Sequence, residues 1–176
     1  HFEVPLWKDR TSFIISARRS YADLIIKPFM DKDTKGGYYL YDINTKLNHR
    51  FSDRDRLFFS FYHGKDHASF TNTSSYYFEE EKETDTRERQ VMAWGSTLGA
   101  LRWNHIVSNR LFHNITLSYN RFRFNIKNNF TSANKHLDSQ YYSGIEDWGL
   151  TSDFDFHPSP SHFIKFGGNY LYHTFR

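Results

Sequence analysis

Histidine and aspartate side chains are the groups in this sequence that could hold a metal or transfer protons. Two of the ten histidines, His63 and His67, have the four-residue spacing that places metal ligands on one face of a helix. Asp147, Asp153 and Asp155 lie close together in the sequence and could serve acid–base chemistry. However, His63 lies where a strand pattern enters a loop, and the aspartates, although Ser and His lie nearby in the sequence, form no recognisable active-site signature. We therefore predict no metal site, no cofactor and no enzymatic activity.

The composition restricts the remaining function classes. There is no cysteine, which excludes disulfides and thiolate metal sites. The formal net charge of +3 is too small to indicate a nucleic-acid partner. No run of about 18 to 20 apolar residues occurs, which excludes a transmembrane helix, but a transmembrane β-barrel needs only every second residue to be apolar. Aromatic residues make up 19% of the chain, a share typical of barrels with aromatic belts at both membrane surfaces.

Residues 38–51 show the clearest alternation of apolar and polar side chains. One alternate set includes Tyr39, Tyr41, Ile43, Leu47 and Phe51, whereas the other set is mostly charged or amide-bearing. Because successive side chains of a strand point to opposite faces, this segment has one apolar-aromatic face and one polar face. Aromatic residues at both ends of the apolar face, with aliphatic residues between them, indicate a strand that crosses a bilayer.

The same pattern recurs along the chain and predicts the fold class. We predict about seven strands, at 11–21, 38–51, 56–64, 91–107, 110–124, 144–156 and 163–175, with residues 1–5 as the end of a preceding strand. Short connections rich in turn-forming residues, at 7–10, 52–55, 108–110 and 157–161, alternate with long polar loops at about 22–37, 65–90 and 125–143. The predicted fold is all-β, an antiparallel up-and-down meander that forms part of a transmembrane β-barrel. A soluble antiparallel sheet explains the alternation equally well, but it explains the long strands and the alternating loop lengths less well.

Three stretches resemble TonB-dependent outer-membrane receptors of the Bacteroidetes type. They are residues 8–21 (KDRTSFIISARRSY), 41–57 (YDINTKLNHRFSDRDRL) and 94–105 (WGSTLGALRWNH). The resemblance implies a barrel of about 22 strands with an N-terminal plug, which imports a scarce nutrient. It implies energy supplied through the plug by TonB–ExbB–ExbD, and a surface lipoprotein as a possible partner. Residues 1–176 would then be a partial barrel domain without the plug, in the outer membrane of a Gram-negative bacterium.

Strand directions assign the charged side chains to faces, because short turns of outer-membrane barrels face the periplasm and long loops face outside. Five arginines are predicted on the outward face at one height, the outer rim, where guanidinium groups could bind lipopolysaccharide phosphates: Arg19, Arg87, Arg89, Arg121 and Arg123. Nine charged residues are predicted to line the lumen, as wall networks and plug contacts: Arg18, Asp42, Lys46, Arg50, Arg102, Asp147, Asp153, Asp155 and Lys165.

Two other functions remain open at this point. One is a self-contained small outer-membrane barrel of about eight strands that acts as an anchor or adhesion protein. The other is a soluble β-sandwich binding module. The first would show its first and last strands hydrogen-bonded to each other, and the second would show its apolar faces packed together. A fragment of a receptor barrel should instead form an open sheet.

Overall fold

The computed structural model describes residues 2–7, 10–30, 33–78, 81–133 and 135–176. Eight strands form one antiparallel sheet in which each strand pairs with its sequence neighbours. They are β1 (Phe2–Trp7), β2 (Thr11–Arg19), β3 (Thr34–Arg50), β4 (Asp55–Phe78), β5 (Glu81–Ser108), β6 (Leu111–Ser132), β7 (Lys135–Ser159) and β8 (His162–Phe175). A short helix, α1 (Ala22–Ile26), and a 3-10 turn (Lys27–Phe29) connect β2 to β3. The predicted all-β meander is therefore confirmed, and β1 is the strand that the sequence placed at residues 1–5.

The sheet is open and single-layered. Over the described residues, β8 pairs with β7 alone and β1 with β2 alone, which confirms the predicted open sheet. No hydrophobic side chain is buried in the described part of the chain, and Tyr170 is 67% exposed. A soluble sandwich would bury one apolar face against a second sheet. The β-sandwich interpretation is therefore wrong.

The long polar loops predicted at 65–90 and 125–143 are wrong, because the strands continue through them. β4 and β5 are 24 and 28 residues long, and β6 and β7 are 22 and 25 residues long. Cross-strand side-chain hydrogen bonds accompany the ladders, such as Asn129 Nδ2 to Asp138 Oδ1 at 2.7 Å and Gln90 Nε2 to Asn128 Oδ1 at 3.1 Å. The alternation fails as a signal here because both faces carry polar side chains.

The tight connections lie close to where the sequence predicts them. At the β3–β4 turn the amide of Phe51 donates to the carbonyl of Asp55 at 3.0 Å. The β5–β6 turn occupies Asn109 and Arg110, and β7 extends to Ser159, beyond its predicted end at 156. The predicted turn at 7–10 includes Lys8 and Asp9, which lie outside the described residues. No helix in the described ranges is long and apolar enough to cross a membrane.

Candidate functional site at the boundary of an apolar band

The ladder registers sort the side chains into two faces. Residues paired across neighbouring strands share a face, and successive pairs define transverse rows across the sheet. The face that carries Tyr39, Tyr41 and Trp148 is here called the outward face, and the opposite face is the inner face. All five predicted rim arginines lie on the outward face, and all nine predicted lumen residues lie on the inner face.

The outward face contains a continuous apolar band. It extends along β6 for nine residues, from Leu111 to Tyr119, and along β7 from Phe156 to Trp148. Its other members on β4 to β8 include Leu57, Phe59, Phe61, Leu101, Trp103, Ile115, Leu117, Leu150, Phe154, Ile164, Phe166, Tyr170 and Tyr172. Nine tilted strand residues span roughly the 25 Å height of the apolar band on an outer-membrane barrel. The band therefore has the height of the hydrocarbon layer.

Aromatic contacts cross the strands within this band. The rings of Tyr119 and Trp148 lie 4.6 Å apart, and those of Phe154 and Phe166 lie 5.1 Å apart. Towards the short turns, Trp103 Nε1 donates to Asp55 Oδ1 at 3.1 Å. An indole with its ring on the apolar band and its N–H on a carboxylate fits an interfacial position.

The polarity of the two faces inverts beyond Tyr119 and Trp148. On the outward face, Arg121, Arg123, Asn125 and Lys127 follow one another on β6. On the inner face the side chains become apolar and aromatic over the same rows: Met92, Trp94, Phe122, Phe124, Ile126, Tyr141, Ile145 and Phe175. The prediction of a polar inner face for every strand is therefore wrong in this part of the sheet. Beside the apolar band the inner face is mostly polar, as a wet lumen would allow, with Phe58, Tyr62, Leu98 and Phe112 as apolar or aromatic exceptions.

The rim arginines divide into two groups. Arg19 and Arg123 belong to one transverse row, through Tyr41, Lys65 and Gly95, and Arg121 belongs to the adjacent row. Arg89 and Arg87 face Asn129 and Thr131, which lie six and eight residues beyond Arg123 on β6. At about 3.3 Å per residue this is some 20 to 26 Å along the strand. The prediction that all five share one height is therefore wrong, because the strands continue past the apolar band.

The row through Arg19 and Arg123 contains further basic residues. Lys65 of β4 lies in it, and so does Arg176, whose amide donates to the carbonyl of Gly144 at 2.9 Å. Gly95 occupies the position between Lys65 and Arg123 and leaves a depression of about 260 Å³. The residues that line this depression include His63, Lys65, Thr97, Arg121, Arg123, Asn125 and Tyr142. We call this depression the basic notch.

Two members of the notch are not apparent from the sequence. Lys65 falls within a predicted loop, and Gly95 carries no side chain that signals function. Counting every second residue onward from Leu57, through Phe59, Phe61 and His63, would have placed Lys65 on the outward face. The ladder confirms that position.

The inner-face charges are spread over six successive rows and do not converge on one site. Asp42 accepts a hydrogen bond from Arg18 Nε, and Arg102 Nε donates to Thr116 Oγ1 at 3.3 Å. Asp147 accepts from Asn120 Nδ2 at 3.0 Å. Its other oxygen lies 2.7 Å from His173 Nδ1, and Lys165 Nζ lies 3.9 Å from Asp155 Oδ1. Of the remaining predicted lumen residues, Lys46 occupies a row of its own, whereas Arg50 and Asp153 lie in one row on strands that are not neighbours.

The histidines and aspartates that could have bound a metal or transferred protons also lie apart from one another. His63 and His67 both lie within β4, where four residues span about 13 Å. His67 stacks on Tyr39 with ring centroids 4.9 Å apart, and His63 Nδ1 lies 3.0 Å from Thr97 Oγ1. Within the ranges that the structure describes, no group of three histidine or carboxylate side chains could hold a metal ion. Asp147, Asp153 and Asp155 point to three different rows.

A family model described as an outer membrane beta barrel domain matches residues 32–174. This range includes β3 to β7 and β8 up to Thr174, and with them the apolar band and the basic notch. No curated protein matches this chain. The match covers most of the sequence and agrees with the antiparallel meander and its apolar outward band. The chain therefore belongs to the outer membrane beta barrel domain family, and it is located in the outer membrane of a Gram-negative bacterium.

Proposed function

We propose that the chain forms part of the barrel wall of a TonB-dependent receptor that imports a scarce nutrient. The observation that carries this proposal is the open edge of the sheet. Over the described residues β1 and β8 each have one ladder partner, so the eight strands do not close on themselves. A larger barrel would pair both edges with further strands, which removes the cost of unpaired backbone groups in lipid.

The inner face supports a wide lumen rather than a tightly filled interior. Beside the apolar band it carries small or polar side chains such as Ser60, Ser118, Thr151 and Asn169. A small barrel fills its interior with side chains, whereas a large one holds water or a plug. The resemblance of residues 8–21, 41–57 and 94–105 to TonB-dependent receptors supplies the finer assignment. In this proposal the wall itself is not catalytic, and TonB–ExbB–ExbD and a surface lipoprotein are its protein partners.

A second function is favoured by one specific observation, the strand count. Eight strands are the number of the smallest outer-membrane barrels. If β1 and β8 paired in the membrane, the chain would form a small barrel that acts as an anchor or adhesion protein.

Disulfide trapping separates the two functions, because the chain has no cysteine of its own. Val4→Cys is combined in turn with a cysteine at Phe166, Gly168, Tyr170 or Tyr172, and the protein is oxidised in native outer membranes. Val4→Cys with Phe13→Cys, which are ladder partners, is the positive control. The receptor proposal predicts cross-linking in the control alone, whereas a β1–β8 cross-link in any combination supports the small barrel.

Recovery of TonB tests the transport function itself. An affinity tag is inserted at Ala133, in the β6–β7 turn, and the protein is solubilised from native membranes after mild cross-linking. The proposal predicts that TonB is recovered, and that recovery rises when the nutrient supply is limited. A tagged protein that is abundant in the outer membrane but never yields TonB would contradict the proposal.

A further inference from the structure

The basic notch contains three cationic side chains, those of Lys65, Arg121 and Arg123. In the described part of the chain none of them forms an ion pair. By contrast, Arg19 Nη2 lies 3.6 Å from Asp23 Oδ2, and its guanidinium lies 5.4 Å from the ring centroid of Tyr39. The cations of the notch therefore differ from Arg19 and Arg176, which both have an acidic partner.

The nearest acidic side chain in the ladder is directed elsewhere. Glu146 faces Arg121 in the register, but its Oε2 lies 3.8 Å from Arg176 Nη2. Positive charges that line one depression repel one another, and an anion bound between them would offset this repulsion.

Gly95 gives the notch its shape and keeps it from being filled. A methyl group at this position would lie 2.5 Å from the carbonyl oxygen of Gly64, so no larger side chain fits without moving the backbone. The neighbouring outward glycine, Gly99, has nothing within 4 Å of the same group. The close approach of β4 and β5 therefore requires a glycine beside Lys65 and Arg123.

The position of the notch indicates where its ligand lies. Arg121 is two residues beyond Tyr119, the last residue of the apolar band on β6, and Arg123 is four residues beyond it. A lipid whose acyl chains cover the band holds its headgroup at this height. Guanidinium groups bind phosphate oxygens in pairs, and an ammonium adds a third positive charge.

We propose that the basic notch binds the phosphate group of an outer-leaflet lipid through Lys65, Arg121 and Arg123. The outward polar residues of the lining, Thr97, Asn125 and Tyr142, supply neutral hydrogen-bond donors around it. The inference separates these three cations from Arg87 and Arg89, which lie too far from the apolar band to contact the same headgroup. It does not depend on transport, because any barrel with this wall would bind the lipid.

The test uses protein purified from native outer membranes and transferred into phosphatidylcholine vesicles with a small fraction of phosphorylated lipid A. Bound lipid is measured by native mass spectrometry. The variants are Arg121→Gln and Arg123→Gln, singly and combined with Lys65→Gln, and the matched control is Arg87→Gln with Arg89→Gln. Each guanidinium variant should lower the affinity about tenfold, or about 1.4 kcal/mol, because it removes a charge-assisted hydrogen bond to the phosphate. The control should retain the wild-type affinity.

A charge-retaining variant and a competition with free phosphate complete the test. Arg121→Lys with Arg123→Lys retains the charge, inserts as the native protein does, and should restore part of the affinity. Inorganic phosphate at millimolar concentration should not displace the lipid, because a free anion lacks the acyl chains on the apolar band. Equal loss in the control variant, no loss in the triple variant, or displacement by inorganic phosphate would each overturn the assignment. Nutrient uptake should be unaffected, so a failure here is distinct from a failure of the receptor proposal.

Discussion

Lys65 of β4 and Arg123 of β6 lie in one transverse row with only Gly95 of β5 between them. The two basic side chains thus flank a gap that is one strand wide. The gap lies where the outward face changes from apolar to polar. The same rows mark the change of the inner face from polar to aromatic. This boundary defines the outer limit of the membrane-embedded part of the sheet, and the following predictions depend on it.

A charge placed on either face beside the apolar band tests the face assignment. Ile115 lies on the outward face at the middle of the band, and its neighbour Asn114 lies on the inner face between Asn104 and Asp153. Ile115→Arg should lower the free energy of unfolding by about 2–4 kcal/mol, the cost of an arginine at the bilayer midplane. Asn114→Arg should change it little, because the lumen is wet. Urea unfolding in lipid vesicles gives both values, and equal costs would contradict the assignment.

Two adjacent glycines of β8 should respond differently to the same substitution. A methyl group at Gly167 would lie 2.3 Å from the carbonyl oxygen of Ser152, whereas one at Gly168 would have nothing within 4 Å. Gly167→Ala should therefore destabilise the β7–β8 pairing by about 1–3 kcal/mol, as other overpacked sites do. Gly168→Ala should be neutral or slightly stabilising. The temperature at which the folded form is lost in detergent is measured for both variants. Equal temperatures would show that β8 pairs with β7 in a different register.

The aromatic pair of Tyr119 and Trp148 should contribute a measurable coupling energy. Their ring centroids lie 4.6 Å apart on neighbouring strands, and such pairs contribute about 0.5–1.5 kcal/mol beyond the area they bury. A double-mutant cycle with Tyr119→Ala and Trp148→Ala measures this term. The cycle of Tyr119 with Tyr170, which lies on the non-adjacent strand β8, is the control and should give no coupling. A coupling of zero in both cycles would mean that the belt residues act independently.

Backbone amides in the outer parts of β4 and β5 should exchange slowly with solvent deuterium. Residues 69–73 pair with 87–91 in a regular ladder, so their amides are protected. A long loop in this region would exchange within seconds. Hydrogen-exchange mass spectrometry on the protein in vesicles distinguishes the two, with the β3–β4 turn at Ser52 and Asp53 as the fast-exchanging reference.

The sequence predicts the parts of this fold that the membrane constrains. Along Leu57, Phe59 and Phe61 every second side chain contacts lipid and must be apolar. The alternation of apolar and polar residues is therefore visible there, and the outward face is assigned correctly. Beyond the bilayer the outward side chains contact water and need not be apolar. Thr71, Asn129 and their neighbours carry polar groups on both faces, and composition alone resembles a loop.

The candidate site shows the same division. The outward positions of Arg19, Arg121 and Arg123 follow from counting along strands of known direction. The role of Gly95 could not be predicted, because it depends on the register of β4 against β5 and on a missing side chain. The separation of Arg87 and Arg89 from the others likewise depends on strand length, which the alternation underestimates.

The most direct test of the account is the lipid contact of individual tryptophans. Trp103 and Trp148 lie on the outward apolar band, whereas Trp94 lies on the inner face, where its ring stacks 6.4 Å from that of Tyr38. Variants that retain one of these tryptophans, with the others replaced by Phe, are placed in vesicles whose acyl chains are brominated. The account predicts strong fluorescence quenching of Trp103 and Trp148 and little quenching of Trp94. Quenching of Trp103 and Trp148 as weak as that of Trp94 would show that the apolar band does not face the lipid.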